Sequence, residues 1–208
     1  MRLSASIVLL RRQPTNSSDS FKILFVQRSE NISSPGLFTF PGGVYEKLSD
    51  SSCLKTTALR ELFEETGILF GMPIKANNTS KHHQQLDEKS IQLERHNLHN
   101  NSISFETFLN KYDLDLDKQK KSLKHFTTFI TPDFASPKFV TSFFIKDISD
   151  DERCCDFMKE DATETASLEW LTPSEAMHEN DAGRIKYLPP QAYIISVEWS
   201  QDYGCCDD

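Results

Sequence analysis

The sequence predicts an α/β domain, and three observations carry that prediction. Two β-rich apolar runs, ASIVLLRR and FKILFVQRS, open the chain on either side of a stretch of turn formers, QPTNSSD. A helix with separate apolar and acidic faces follows from about Leu54 to Thr66. Strand-like runs then resume with HFTTFITP, KFVTSFFIKDI and ASLEWL. The 208 residues give room for one domain, 1–208, with a substantial core and an insertion at about 73–125.

Each element has a local reason. Between the second strand and the helix, NISSPGLFTFPGGVYEKLSDSS reads as a loop punctuated by Pro35-Gly36 and Pro41-Gly42-Gly43. Ser51 or Ser52 is placed to cap the helix, and Gly67 sits where a left-handed C-cap residue belongs. KANNTSKHHQQLDEKSIQLERHNLHNNS is rich in Asn, Gln, His and Lys and has too few apolar residues for a core of its own. It reads as part flexible and part helical. Further on, SFETFLNKYDLDL reads as a short amphipathic helix docking through Phe105, Phe108 and Leu109. DDERCCDFMKED is an acidic loop. TPSEAMHENDAG opens as a capped helix, with Thr172, Pro173 and Glu175 in the capping positions, and RIKYLPPQAYIISVEW closes the domain. Phe129, Phe143, Phe144 and Trp170 are expected in the core.

Charge narrows the function. Against 31 Asp and Glu there are 23 Lys and Arg, a net of −8, which argues against a nonspecific nucleic-acid binder. A phosphate-bearing partner remains open, because bound divalent ions reverse local charge. The run SIVLL is cut off by Arg11 and Arg12, too short for a membrane span or a signal peptide. The final GCCDD carries no lipidation or peroxisomal tail signal. Cys53 and the adjacent pairs Cys154-Cys155 and Cys205-Cys206 make a poor disulfide framework. The expectation is a reduced, intracellular protein, cytoplasmic or peroxisomal, with no membrane partner. The sequence leaves the oligomeric state open.

The chemistry gathers in LRELFEETGILFG, residues 59–71, where Arg60, Glu61, Glu64 and Glu65 crowd one short helix. Like charges three or four residues apart cost roughly 0.2–0.5 kcal/mol per pair. At about 100° per residue the three glutamates share one arc, while Leu59, Leu62 and Phe63 lie toward the other side. Arg60 can pair with Glu64 along the helix. Three hard oxygen donors converging on one point suit Mg2+ or Mn2+, and magnesium prefers a few carboxylates, water and substrate phosphate oxygens. Gly42 and Gly43, stiffened at their entry by Pro41, let backbone approach a metal or phosphate. A solvated helix face with one ion pair is the plain alternative, and the neighbouring FPGG and Gly67 weigh against it. His96 and His99 stand at helical spacing in so polar a segment that solvated side chains are expected there.

GGVYEKLSDSSCLKTTALRELFEETGI resembles the Nudix box, G-x5-E-x7-R-E-U-x-E-E-x-G-U with U a bulky aliphatic residue. RELFEETGI, Arg60 to Ile68, matches throughout. The resemblance implies a Nudix-type α/β/α sandwich with a mixed central sheet. It implies Glu61, Glu64 and Glu65 as metal-binding carboxylates, Arg60 as their orienting partner, and Gly43 as the glycine that begins the box. The first half departs from the pattern. Gly43 to Arg60 is three residues longer than the box, and counting back from Arg60 puts Ser52 in the first-glutamate slot. Asp50 or Glu46 can substitute there through a longer loop.

FVQRSENISSPGLFTFPGG is similar to the lead-in of Nudix enzymes that cleave coenzyme A and its acyl esters. FITPDFASPKFVTSFFI and EWLTPSEAMHENDAGRIKYLPP are similar to later segments of the peroxisomal coenzyme A diphosphatase branch. This resemblance implies hydrolysis of the pyrophosphate of coenzyme A or acyl-CoA to (acyl)phosphopantetheine and adenosine 3′,5′-bisphosphate. Such an in-line displacement is stabilised mainly by positioning and positive charge. A carboxylate must take the water's proton: Glu61 or Glu64 on the helix, or Glu160 or Glu164 in the late loop. Arg28, at a strand end facing the Gly-Gly loop, is the candidate for a substrate phosphate together with Gly42 and Gly43. Two other readings stand beside this one. The same chemistry could act on ADP-ribose, a dinucleotide or capped RNA, or a Nudix fold with a stretched box could bind without turnover.

Overall fold

The computed structural model describes residues 1–13, 20–30, 34–50, 53–71, 86–161 and 163–200. Ser51, Ser52 and the start of the insertion, 73–85, lie outside the described residues. The strands are β1 (Arg2–Arg12), β2 (Phe21–Arg28), β3 (Phe38–Thr39), β4 (Gly42–Val44), β5 (Lys124–Ile130), β6 (Phe139–Asp147) and β7 (Thr165–Leu171). The helices are α1 (Leu54–Thr66), α2 (Glu88–His99), α3 (Phe105–Lys111), α4 (Leu116–Ser122), α5 (Pro173–Asp181) and α6 (Pro189–Ser200).

A strand has only two edges, and the pairing of β1 and β2 uses this to split the sheet. β6 runs parallel to β1 from Arg2↔Phe139 to Leu10↔Asp147 and fills one edge. The other edge of β1 is shared, by β2 at Leu10–Arg12 and by β4 at Ser4–Ser6, both antiparallel. Likewise β7 fills one edge of β2, while the other meets β1 near Phe21 and then β3 at Val26 and Gln27. β1 and β2 therefore part, and β3 and β4 enter the gap. β5 closes the far side as an antiparallel partner of β6.

Alternate residues of β1 feed two cores, because successive side chains of a strand point to opposite faces. Ala5, Ile7 and Leu9 join α1 and the insertion helices, and Val8 and Leu10 join α5 and α6. Phe144 and Phe143 divide the same way on β6. Burial on both faces explains why β1 reads as a near-continuous apolar run. The architecture is the expected α/β/α sandwich with a mixed central sheet. Phe129 and Trp170 pack against these cores half-buried, and Arg11 lies over the Trp170 ring at 4.7 Å.

Three local readings change. The loop before α1 contains β3 and β4, too short for periodicity to register. The closing run RIKYLPPQAYIISVEW contains helix α6. The N-cap of α1 is Cys53 rather than Ser51 or Ser52, with extended backbone and no side-chain cap. Asp50 steadies this start instead: its carbonyl accepts from Cys53 N at 2.9 Å, and its carboxylate accepts from Thr57 Oγ1 at 2.9 Å. Other local readings hold. Gly67 caps α1 in the left-handed region at φ 73°, and Thr172 and Glu175 form a reciprocal capping box at α5.

The polar insertion contributes to the core without forming one. Ile91 and Leu98 of α2, and Phe105, Phe108 and Leu109 of α3, are buried in the cluster that covers α1. Few apolar residues suffice because Phe63 of α1 already offers a face, on which Phe108 stacks at 4.7 Å between centroids. Buried Glu94 of α2 accepts from Tyr112 Oη at 3.0 Å and from Lys111 Nζ, which ties α2 to α3. Burial opposes the Glu94 charge, but these donors hold its carboxyl below the usual glutamate range. Phe108→Ala is expected to destabilise the protein by about 3–5 kcal/mol, the usual result of truncating a buried phenylalanine, as read by urea denaturation.

Candidate active site

The site is built on α1 and on the wedge between β1 and β2. Leu59, Leu62 and Phe63 bury one side of α1 under the sheet, which turns Glu61, Glu64 and Glu65 toward β4. Arg60 is almost wholly buried and makes the contacts that organise this face. Its Nε donates to Asp50 Oδ1 at 2.7 Å and its Nη2 to Asp50 Oδ2 at 3.1 Å, a bidentate pair. Nη2 also reaches the Val44 carbonyl at 3.1 Å, and Nη1 lies 3.0 Å from Glu61 Oε1 and 3.2 Å from Glu64 Oε2. Arg60 thus engages Glu61 as well as the Glu64 anticipated from helical spacing.

Of the two acids considered for the first-glutamate slot, Asp50 is the one that meets Arg60. Its carboxylate also accepts from Glu46 N at 2.7 Å, so Glu46 contributes its backbone to the loop while its side chain lies near Glu64. The longer box is absorbed in this turn. Ser49 N and Asp50 N both return to the Glu46 carbonyl, at 3.1 and 2.9 Å.

The Gly-Gly wedge meets the acidic face directly. Gly42 N donates to Glu65 Oε2 at 3.0 Å. A Cβ built on Gly43 would collide with the carboxylate of Glu61, so only glycine leaves that side chain its place. At the other end of α1, a Cβ on Gly67 would collide with the carbonyl oxygen of Phe157.

The late loop completes the surroundings. Asp161 Oδ1 accepts from the backbone N–H groups of Thr163, Glu164 and Thr165 at 2.8 to 3.0 Å, fixing the turn that leads into β7. Ser29 N donates to the Glu164 carbonyl at 2.8 Å, and Arg28 pairs with Thr165 across β2 and β7. Glu164 lies close enough to raise the proton affinity of Glu61 and Glu65, and Arg28 close enough to lower that of Glu65. The structure therefore gathers Arg28, Gly42, Gly43, Glu46, Glu61, Glu64, Glu65 and Glu164 around one face. The charge of Glu160 falls on Arg95, on which Glu64 and Glu65 also act. His96 and His99 lie exposed in the last turn of α2.

Electrostatically, this face crowds carboxylates into a buried setting. Burial pushes the Glu61 carboxyl up to about 7 and Glu64 up to about 8, with Arg60 opposing in both cases. Burial and then the Glu61 charge push Glu65 well above the usual range, against the Gly42 N–H. Burial opposes the Arg60 charge, but Asp50, Glu61 and Glu64 outweigh it and hold the guanidinium firmly protonated. With Asp50 paired to Arg60, Glu61 and Glu64 share its remaining donors, while Glu65 meets the Gly42 N–H and the field of Arg28. Glu64 Oε1 is buried and has no hydrogen-bond partner among the described residues. An orphaned buried carboxylate oxygen is costly unless something cationic meets it. These donors fit a hard divalent ion. Among the described residues no three His, Cys, Asp or Glu side chains form a preformed metal cage.

Sequence comparison agrees with the geometry. The family described as the NUDT19 Nudix domain matches residues 45–197, and the chain belongs to that family of Nudix domains. It is 28% identical over 213 residues to Putative nudix hydrolase 7 of Caenorhabditis elegans, covering 98% of this chain and 63% of that protein. It is 24% identical over 248 residues to Acyl-coenzyme A diphosphatase NUDT19 of Xenopus laevis, covering 88% of this chain and 61% of that protein. The chain thus spans about three fifths of these relatives. Among solved structures, a NUDIX hydrolase from Alicyclobacillus acidocaldarius superposes with a TM-score of 0.71 at 20% identity, over 97% of this chain and 92% of that one.

Arg95 and Thr57 were not singled out from the sequence. Thr57 is readable in retrospect, one helical turn before Glu61 on α1. Arg95 sits in a segment whose polarity hides it.

Two predictions follow from this charge balance. Asp50→Ala leaves Arg60 without its bidentate partner and is expected to cost about 3–5 kcal/mol in urea denaturation, as for other broken buried pairs. The metal-free protein should also respond to pH through Glu61 and Glu64. Their folded pKa values lie above the unfolded value near 4.5, so the folded state holds more protons between about pH 5 and 8. Stability in EDTA should therefore fall as pH rises across that window. Glu64→Gln should flatten the slope, and an equal slope in the variant would place the responsible groups elsewhere.

Proposed function

We propose that this chain is a Mg2+- or Mn2+-dependent diphosphohydrolase acting on coenzyme A or acyl-CoA. The observation that carries the metal part is the buried Glu64 Oε1, which has no hydrogen-bond partner among the described residues and sits among clustered carboxylates. The substrate part rests on the likeness to the Xenopus acyl-coenzyme A diphosphatase and on the family match.

In this reading Glu61, Glu64 and Glu65 hold the metal, with the Gly43 backbone beside them, and Arg60 fixes their directions from behind. A bound divalent ion supplies Lewis-acid polarisation of the phosphoryl group and a lowered pKa for water. Arg28 and the Gly42-Gly43 backbone face the substrate phosphates from the strand side. Glu164 is assigned the proton of the attacking water, because Glu61 and Glu64 already serve Arg60. The water attacks one phosphorus of the pyrophosphate, the bridging P–O bond breaks, and (acyl)phosphopantetheine leaves adenosine 3′,5′-bisphosphate.

The test is turnover of CoA, acyl-CoA, ADP-ribose and NADH in Mg2+ or Mn2+, with products resolved by chromatography. CoA or its esters should be cleaved to the two named products. Cleavage of ADP-ribose without CoA would overturn the substrate assignment, and no turnover of any pyrophosphate would favour a binding protein. Glu64→Gln should lose most of the rate with its fold intact by circular dichroism, and near-full activity in that variant would move the metal site elsewhere.

A further inference from the structure

Arg95 is the buried cation that the site does not yet explain. It projects from α2, in the insertion, and only 4% of it is exposed. Its Nε donates to the main-chain carbonyl of Glu64 at 2.9 Å. Both terminal nitrogens are buried, and neither has a hydrogen-bond partner among the described residues. Nη1 would sit 3.6 Å from a Cβ on Gly67, which places the guanidinium against the final turn of α1.

That position matters because helix ends leave carbonyls without intrahelical partners and fray within the last turn. Here the last turn carries Glu64 and Glu65. Its other supports come from the late loop: Lys159 N donates to the Thr66 carbonyl at 2.8 Å, and Leu69 N donates to the Cys154 carbonyl at 3.1 Å. The Thr66 hydroxyl meanwhile turns back to the Leu62 carbonyl at 2.6 Å. Arg95 is the only described side chain hydrogen-bonded to the Glu64 carbonyl. Asp161, Glu160, Glu64 and Glu65 all pull on its charge, while burial opposes it.

A guanidinium with idle N–H groups is a poor way to stabilise a core, since each unmade buried bond is costly and charged groups cost more. A methionine of similar length would fill the space at lower cost. We propose that Arg95 is a positioning residue: it pins the Glu64 main chain so that the Glu64 and Glu65 carboxylates stay on the metal-binding face, which makes the insertion helix α2 part of the active site. This rests on the assignment of those carboxylates to a divalent ion.

Three variants test it, with Mn2+ affinity by calorimetric titration and stability in EDTA by urea denaturation. Wild type should bind Mn2+, and Glu64→Gln should lose that binding. Arg95→Met should bind Mn2+ about 10–100-fold more weakly, the range seen when outer supports of metal ligands are removed. Its metal-free stability should change little, because loss of the donor to the Glu64 carbonyl is offset by relief of the unmet guanidinium. Arg95→Lys keeps a donor for the Glu64 carbonyl and should recover most of the affinity. Affinity within twofold of wild type in Arg95→Met would overturn the proposal. So would a loss matched by a large fall in metal-free stability that Arg95→Lys does not repair. Absence of Mn2+ binding in wild type would overturn the carboxylate assignment itself and this inference with it.

Discussion

The bidentate contact between Arg60 and Asp50 is the constraint on which the rest of the site depends. Burying a guanidinium is unfavourable unless its donors are met, and Asp50 meets two of them from a position with no exposure at all. Because Arg60 is held from behind, its remaining donors can face Glu61 and Glu64 in fixed directions. Without Asp50 the arginine would be free to collapse onto the nearest glutamate, and the acidic face would lose its spacing. The same carboxylate joins Thr57 and the Glu46 backbone, so one buried acid couples the loop, the helix and the arginine.

The second requirement is the split sheet. β1 cannot pair with β2 and β4 along the same stretch of one edge, so the strands diverge and β4 arrives against α1. Ser6 secures this arrival through its hydroxyl, which donates to the Pro41 carbonyl at 2.9 Å, while Ile7 N donates to the same carbonyl at 2.9 Å. The result is a backbone N–H of Gly42 on Glu65 and an absent side chain at Gly43 beside Glu61. A strand pair that stayed together would leave no path for that loop to reach the helix. Fold and site are therefore one geometric problem, solved at the same residues.

Much of this was legible in the sequence, and the parts that were not have physical reasons. The acidic face of α1 announced itself because helical spacing maps sequence onto one arc, and Gly67 because a left-handed cap needs no tertiary context. Phe105, Phe108 and Leu109 were readable for the same reason. Asp50 was one of two options, since a loop has no period to say which side chain turns inward. β3 and β4, at two and three residues, are made by partner strands rather than by their own composition. Arg95 was invisible because its meaning lies in a contact 31 positions away, with a backbone atom that has no sequence identity. Polarity marked its segment as a poor core former, which was correct for the segment alone and silent about what it would dock on.

The central claim is that α1 and the Gly-Gly wedge together form a divalent-ion site. The most direct measurement is anomalous diffraction from crystals of the protein grown with Mn2+. The account predicts an anomalous peak bounded by the carboxylates of Glu61, Glu64 and Glu65 and reaching Glu64 Oε1, which has no partner among the described residues. Mn2+ bound only elsewhere, with Arg60 and the three glutamates arranged as they are now, would contradict it.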